Sequence, residues 1–247
     1  MHKCEKWVKL AGTVLCELFT VCTIVMLLLG GETGRLAMAL VTLLLVALPM
    51  LMEKLFACRF SLPLYIFALI YAIGPMLGHC WKLYYTVPVW DKLLHISGGV
   101  MFAIVGMYVF DLLVKNKEAP AIKLLFALCF SISVAVLWEF CEFGADIFLG
   151  LDTQEDIIIR SVTSFLLGDS VGVTGSIENI ESVVVNGVPM PGYIDIGLID
   201  SMLDMLVETV GAAVTCLVLW IDRPWSCKRQ QDEERLNQPM AQPAGGI

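Results

Sequence analysis

The sequence predicts an all-α, polytopic membrane helix bundle of six transmembrane helices with a small outer loop subdomain. Three observations predict it. The chain is 58% hydrophobic and only 16% charged, where about a quarter charged is usual for a soluble domain. Six apolar segments are long enough, or nearly so, to span about 30 Å of hydrocarbon. The basic residues are unequally shared between the two sets of connections, as a fixed orientation in a membrane requires. Together these exclude a disordered chain, a collagen-like chain and an ordinary soluble enzyme. They do not explain why 24 acids outnumber 16 bases, for a net charge of −8.

The first span, residues 7–30, follows Lys3, Lys6 and Lys9. It is too long for the apolar region of a signal peptide and has no A-x-A-like site after it, so it reads as an uncleaved helix. The second, residues 36–52, is the shortest, and Pro49 kinks or ends it. The third, residues 62–81, carries Gly74-Pro75, a kink signal. The fourth, fifth and sixth are residues 93–114, 122–150 and 197–221. Residues 1–221 form the membrane domain, and the polar, proline-bearing tail 222–247 reads as a disordered cytoplasmic segment. No similarity between the two halves supports an inverted-repeat transporter.

With six spans both termini share a side. That side holds Lys3, Lys6, Lys9, Lys54, Arg59, Lys115, Lys117, Lys123, Arg223, Lys228, Arg229 and Arg235, twelve of the 16 bases. Arg35, Lys82, Lys92 and Arg160 are left for the other. The excess predicts a cell-membrane protein with both termini in the cytoplasm. The lipid bilayer is the partner this implies. No nucleic-acid partner is expected, and the small-molecule or lipid ligand and the oligomeric state stay unassigned.

The connection 151–193 is the one long loop, and it falls outside. Thr153 and Asp156 resemble a capping box ahead of Ile157, Ile158, Val162, Phe165 and Leu166, which predicts a short helix on the membrane surface. Asn186-Gly187 between valines is a hairpin signal, and Pro189 and Pro191 weaken its second strand. The nine cysteines show no C-x-x-C, so a thiolate zinc site is not expected. Most read as small hydrophobes. Cys80 and Cys141, both near an outer helix end, are the one pair placed for a bond. Trp81, Tyr84, Tyr85 and Trp90 read as an interfacial aromatic belt.

Split by this topology, the acids fall 15 outside and nine inside, giving balances of −11 and +3. Within the spans they are periodic. Asp91 and His95 stand at i, i+4 at the outer end of the fourth. Glu139, Glu142 and Asp146 stand at i, i+3, i+7 near the outer end of the fifth. Asp200, Asp204 and Glu208 stand at i, i+4, i+8 in the sixth. Each spacing puts its set on one helix face. Solvation at a helix end accounts for Asp91, Asp146 and Asp195. It does not account for Glu139, Asp204 or Glu208, which have apolar residues around them within the span. Carboxylates in a bilayer face the bundle interior or water, so the stripes are expected to face one another, holding shared protons or a metal.

The leading expectation is an outward-facing site of His95, Glu139, Glu142, Asp200 and Asp204 that binds a divalent metal ion. His95 would be the nitrogen ligand, and Glu139 and Asp204 the deepest carboxylates. Asp91, Asp146 and Glu208 are secondary candidates, and His79 a weaker one. One imidazole among carboxylates suits a hard or borderline cation rather than copper. Two alternatives stand beside it. One is a metal-dependent hydrolase of a lipid or phosphate ester at the outer leaflet, with Glu142 or Asp200 as base. The other is a cation- or proton-coupled carrier. No G-x-x-x-x-G-K-[ST], G-x-S-x-G or H-E-x-x-H motif is present, so an enzymatic activity is not assigned.

Trp138-Glu139-x-x-Glu142, then Thr153-Gln154-x-Asp156, then Asp200-x-x-x-Asp204-Met205 with Gly211-Ala212, resembles the uncharacterised YjdF-like integral membrane family. Asp91-Lys92-Leu93-Leu94-His95 fits that family's helix start and is also similar to the entry of VanZ-like membrane proteins. The resemblance covers residues 90–212 and rests on the order of short motifs. It implies a multi-pass membrane protein and no established activity. In that family the Thr-Gln segment lies close before the last Asp pair. Here residues 157–197 intervene, which puts the part of Asp156 in question.

Overall fold

The computed structural model describes residues 2–114 and 119–221, with side chains from residue 4 onward. Its helices are α1 (His2–Gly30), α2 (Leu36–Leu55), α3 (Leu62–Cys80), α4 (Leu83–Thr86), α5 (Trp90–Leu113), α6 (Pro120–Leu149) and α7 (Leu198–Ile221). All but the single-turn α4 are long and apolar enough to cross a membrane. The six expected spans are therefore present, within a few residues of their expected ends. The tail 222–247, expected to be disordered, and Lys115 and Lys117 lie outside the described residues.

Local sequence explains the helix boundaries. Pro63 and Pro120 stand in the first turns of α3 and α6, where a missing N–H costs nothing. Gly150 closes α6 at φ +64° and donates its N–H to the Asp146 carbonyl, the left-handed cap that glycine favours. Pro49 and Pro75 do not end their helices. The indole N–H of Trp90 donates to the Gly74 carbonyl at 3.2 Å, fastening the start of α5 to the segment of α3 that Pro75 loosens.

The bundle has two halves. In the first, α1, α2 and α3 pack around apolar groups: Leu27, Ala39 and Met76 at one level, Val46, Tyr65 and Leu69 at another. In the second, α5, α6 and α7 pack around polar groups toward the loop end and around Phe110, Leu124 and Ala127 toward the other, and α3 against α5 makes the main join between halves. The closest approach is between α5 and α7. A Cβ on Gly99 would stand 2.0 Å from the Glu208 carbonyl oxygen, and one on Gly211 would stand 2.4 Å from that of Ile96. Small residues at both crossings let the two backbones touch.

The segment between α6 and α7 carries six short strands in three antiparallel pairs. They are β1 (Ile158–Ile159) with β6 (Tyr193–Ile194), β2 (Val162–Ser164) with β3 (Gly175–Ile177), and β4 (Val183–Val185) with β5 (Val188–Met190). The expected surface helix after Thr153 is absent. Residues 158–159 and 162–164 are strand, and only a 3-10 turn, Phe165–Leu167, is helical. The β-branched run of Ile158, Ile159, Val162 and Thr163 finds partners in Tyr193, Ile194, Ile177 and Ser176, and these outweigh a weak helix signal. The Asn186-Gly187 hairpin is present, with both residues at positive φ and Val185 opposite Val188. Pro189 faces Val184, one step from the closing pair, where no ladder N–H is required.

Two smaller expectations need correction. Cys80 and Cys141 are not bonded to each other; the Cys80 thiol donates to the Arg35 carbonyl instead. Tyr84 is not a belt residue. Its ring fills the space beside Gly78 and meets His79 edge-on, 5.3 Å between centroids. Tyr85, by contrast, is 72% exposed, as the belt requires.

Candidate metal centre

Three helices bring their polar faces together at the end of the bundle where the 151–197 connection lies. On α6, Leu137, Phe140, Phe143 and Ile147 are exposed while Glu139 is buried. On α7, Met202, Leu203, Leu206 and Val210 are exposed while Asp200, Asp204 and Glu208 are buried. Apolar residues thus occupy the lipid-facing positions, and the carboxylates turn inward as the helical spacing dictates.

Lys92 is the cation of this cluster. Its ammonium donates to Asp200 Oδ1 and Asp204 Oδ1, each at 2.6 Å, and to Asp91 Oδ2 at 2.9 Å. Asp200 spends its second oxygen on the backbone N–H of Glu155, at 3.1 Å. Asp91 and Asp204 keep theirs for His95, whose Nε2 is 3.6 Å from Asp91 Oδ1 and 3.7 Å from Asp204 Oδ2. On the other side of the ring, Nδ1 is 3.6 Å from Glu208 Oε2.

These three separations are too long for hydrogen bonds. They suit an ion lying between: two ligands about 2.1 Å from an ion and about 110–120° apart stand about 3.4–3.6 Å from each other. Among the described residues, two groups of side chains bring ligand atoms within 4.8 Å of one another: Asp91, His95 and Asp204, and His95, Glu139 and Glu142. His95 belongs to both. Among the described residues, His95 Nδ1, both oxygens of Glu139 and Glu208 Oε1 are buried with no hydrogen-bond partner. Unpaired buried polar atoms are rare and call for a reason.

The expected site residues are sorted by this geometry. His95, Glu139, Glu142 and Asp204 come together with ligand atoms to spare. Asp200 joins them but has both oxygens engaged. Asp146 does not join. It accepts from the Thr153 N–H at 2.7 Å, the Thr153 hydroxyl at 2.6 Å and the Gln154 N–H at 2.9 Å, so it fastens the loop to the end of α6. His79 stands against Tyr84. Glu208 belongs at the centre rather than the margin. It is 2% exposed and lies one turn further into the span than Asp204, so it, and not Asp204, is the deepest carboxylate on α7.

Sequence reasoning underweighted Lys92 and missed the loop. The signal for Lys92 was its position beside Asp91 and three residues before His95, on the helix that bears the imidazole. The loop residue Gln154 donates to the Ser201 hydroxyl at 2.6 Å. Thr153 also reaches back to the Glu142 carbonyl at 3.0 Å. Outside the spans, burial and then Asp156, Asp146 and Asp200 hold the Asp152 carboxyl above its ordinary value. Burial and then Asp200 and Asp91 do the same for Glu155.

Fold and site define a polytopic helical membrane protein with a polar, histidine-centred core at one end of its bundle. The chain belongs to the family described as "Predicted membrane protein (DUF2238)", which it matches over residues 11–224. No curated protein and no solved structure matches the chain. The family match takes in all of the residues 90–212 on which the sequence resemblance rested.

Proposed function

We propose that this protein holds a divalent cation on His95, Glu139 and Glu142, with Asp91 and Asp204 offering a second position on the same imidazole. The observation that carries this is Glu139: a carboxylate 5% exposed, inside a span, with Ser201 and Gln154 nearby but neither oxygen in a hydrogen bond of normal geometry. An unpaired buried carboxylate costs several kcal/mol, and an ion offsets that cost directly. Charge balance is compatible with this. Asp91, Asp200 and Asp204 share the one ammonium of Lys92, and with Glu139, Glu142 and Glu208 close by, the cluster takes up protons or a cation. Trp138 donates to Glu142 Oε1 at 2.8 Å and fixes that carboxylate as a supporting partner fixes a ligand.

The site then faces away from the cytoplasm, on the strength of the basic-residue excess at the opposite end of the spans. We take the YjdF-like group to be this family; the VanZ-like similarity is confined to the start of α5.

Metal analysis of the purified protein tests the proposal. A stoichiometric divalent ion is expected. His95→Ala or Glu139→Gln should weaken binding by at least the roughly 10–100-fold that loss of a supporting partner alone causes. A folded wild type that neither retains nor takes up a divalent ion ends the proposal.

A further inference from the structure

Because the halves of the bundle join mainly through α3 and α5, α6 stands apart from α2 and α3, and a cleft runs between them. Two cavities lie along it. The deeper, of about 370 Å³, is bounded by α2, α3, α5 and α6, and Leu48, Ala68, Ala72, Phe102 and Val134 give it an apolar wall. Its one carboxylate is Glu208, whose Oε1 is buried and unpaired. The second cavity, of about 650 Å³, lies toward the loop end and is lined in part by Arg35, His79, Glu142 and Asp152. Trp138 borders both, and its indole is tied to Glu142. The cleft is therefore amphipathic along its length, apolar at mid-span and charged at the end.

We infer that this cleft admits one hydrocarbon chain of a membrane phospholipid from the bilayer side, with the phosphate head in the second cavity beside Arg35 and Glu142. The inference rests on the proposed cation site and names its ligand class. A chain fills the deeper cavity without desolvation cost, since it leaves hydrocarbon for hydrocarbon. Arg35 uses one guanidinium nitrogen on Glu32 and keeps further donors for a phosphate. A divalent ion on Glu142 would take a phosphate oxygen as a further ligand. Free phosphate would leave the apolar compartment empty, so the paired cavities select a phosphate that bears a chain.

The test uses the full chain in lipid nanodiscs containing phosphatidic acid with a diazirine in its acyl chain. After photolysis, labelled residues are mapped by mass spectrometry. Label is expected on the α2, α3 and α6 residues of the deeper cavity, above the level on Leu15 and Leu29 of α1, which are 69% and 86% exposed. Ala72→Trp and, on another helix, Val134→Trp fill the cavity and should each remove the cleft label while leaving that on α1. Unlabelled phosphatidic acid should compete and inorganic phosphate should not.

Cleft labelling no stronger than on α1 overturns the inference. So does labelling that survives both tryptophan variants, or equal competition by inorganic phosphate. The two readings fail separately. Cleft-specific label on a protein without a cation overturns the cation reading and leaves the chain site standing. A bound cation with no cleft label does the reverse.

Discussion

Lys92 meets three aspartates at once, and its neighbours Asp200 and Asp204 are almost wholly shielded from solvent. Removing it leaves buried charges uncompensated, which typically costs about 3–5 kcal/mol for a fully buried pair. Since Lys92 itself is 32% exposed, Lys92→Met is expected to cost less than this, about 2–3 kcal/mol, read as a fall in Tm in detergent. Pairing it with Asp204→Asn should recover part of the loss, because that variant deletes one of the stranded charges. Additive losses in the double variant would show that Lys92 and Asp204 are not coupled. Asp152, an exposed loop residue whose carboxyl is only partly buried, adds a pH dependence whose sign follows from its raised pKa. Its raised pKa means that the folded protein binds the proton more tightly than the unfolded chain. Its contribution to stability is therefore present at acidic pH and is lost as pH rises through the raised value. Without divalent ions Tm should fall over that range, Asp152→Asn should fall less, and a divalent ion should flatten the wild-type curve. A Tm profile for Asp152→Asn identical to wild type would remove this carboxyl from the account.

At the scale of elements, the 151–197 connection shows how a long excursion of the chain leaves a local arrangement intact. The Ile157 N–H donates to Asp195 Oδ1 at 2.8 Å, and the Asp195 N–H donates to the Ile157 carbonyl at 3.2 Å. The paired strands β1 and β6 begin there, so the excursion leaves and returns at one point. Residues 153–155 can then dock on α6 and α7 as they would if the chain passed directly from Asp156 to α7. Asp156 itself is exposed. Replacing residues 159–193 by a short glycine linker is expected to preserve helix content by circular dichroism and to preserve cation binding. Loss of binding in a protein of unchanged helicity would give the excised strands a direct part in the site.

At the scale of the molecule, the buried carboxylates among the described residues are confined to the α5–α7 half, at its loop end. The α1–α3 half is held by Tyr65, Leu69, Met76 and their neighbours, and the α5–α7 half by ion pairs and two close glycine crossings. Orientation in the membrane belongs to this scale too. The excess of bases at the termini predicts that Cys4, which is exposed, reacts with an impermeant thiol reagent only from the cytoplasmic side. A cysteine placed at the Asn186 turn should react only from the other. The opposite pattern would invert the topology and place the candidate metal centre on the cytoplasmic side.

The sequence by itself determined the spans and the inward set of each helix. Apolar length and helical periodicity are properties of single segments, so residues 36–52 and the Asp200, Asp204, Glu208 stripe were legible without any neighbour. The hairpin at Asn186-Gly187 was legible for the same reason, since positive φ is a local demand. The pairing of elements was not. That Lys92 reaches across to α7 and that Glu208 reaches His95 depend on how closely α5 and α7 approach, and that Asp146 serves Thr153 depends on how the loop folds back on the end of α6. Gly99 and Gly211 set that distance by leaving no side chain between the backbones. The strands after Thr153 were hidden likewise, because their partners lie 11 to 36 residues away in the chain, and strand pairing is an interaction between segments, not within one.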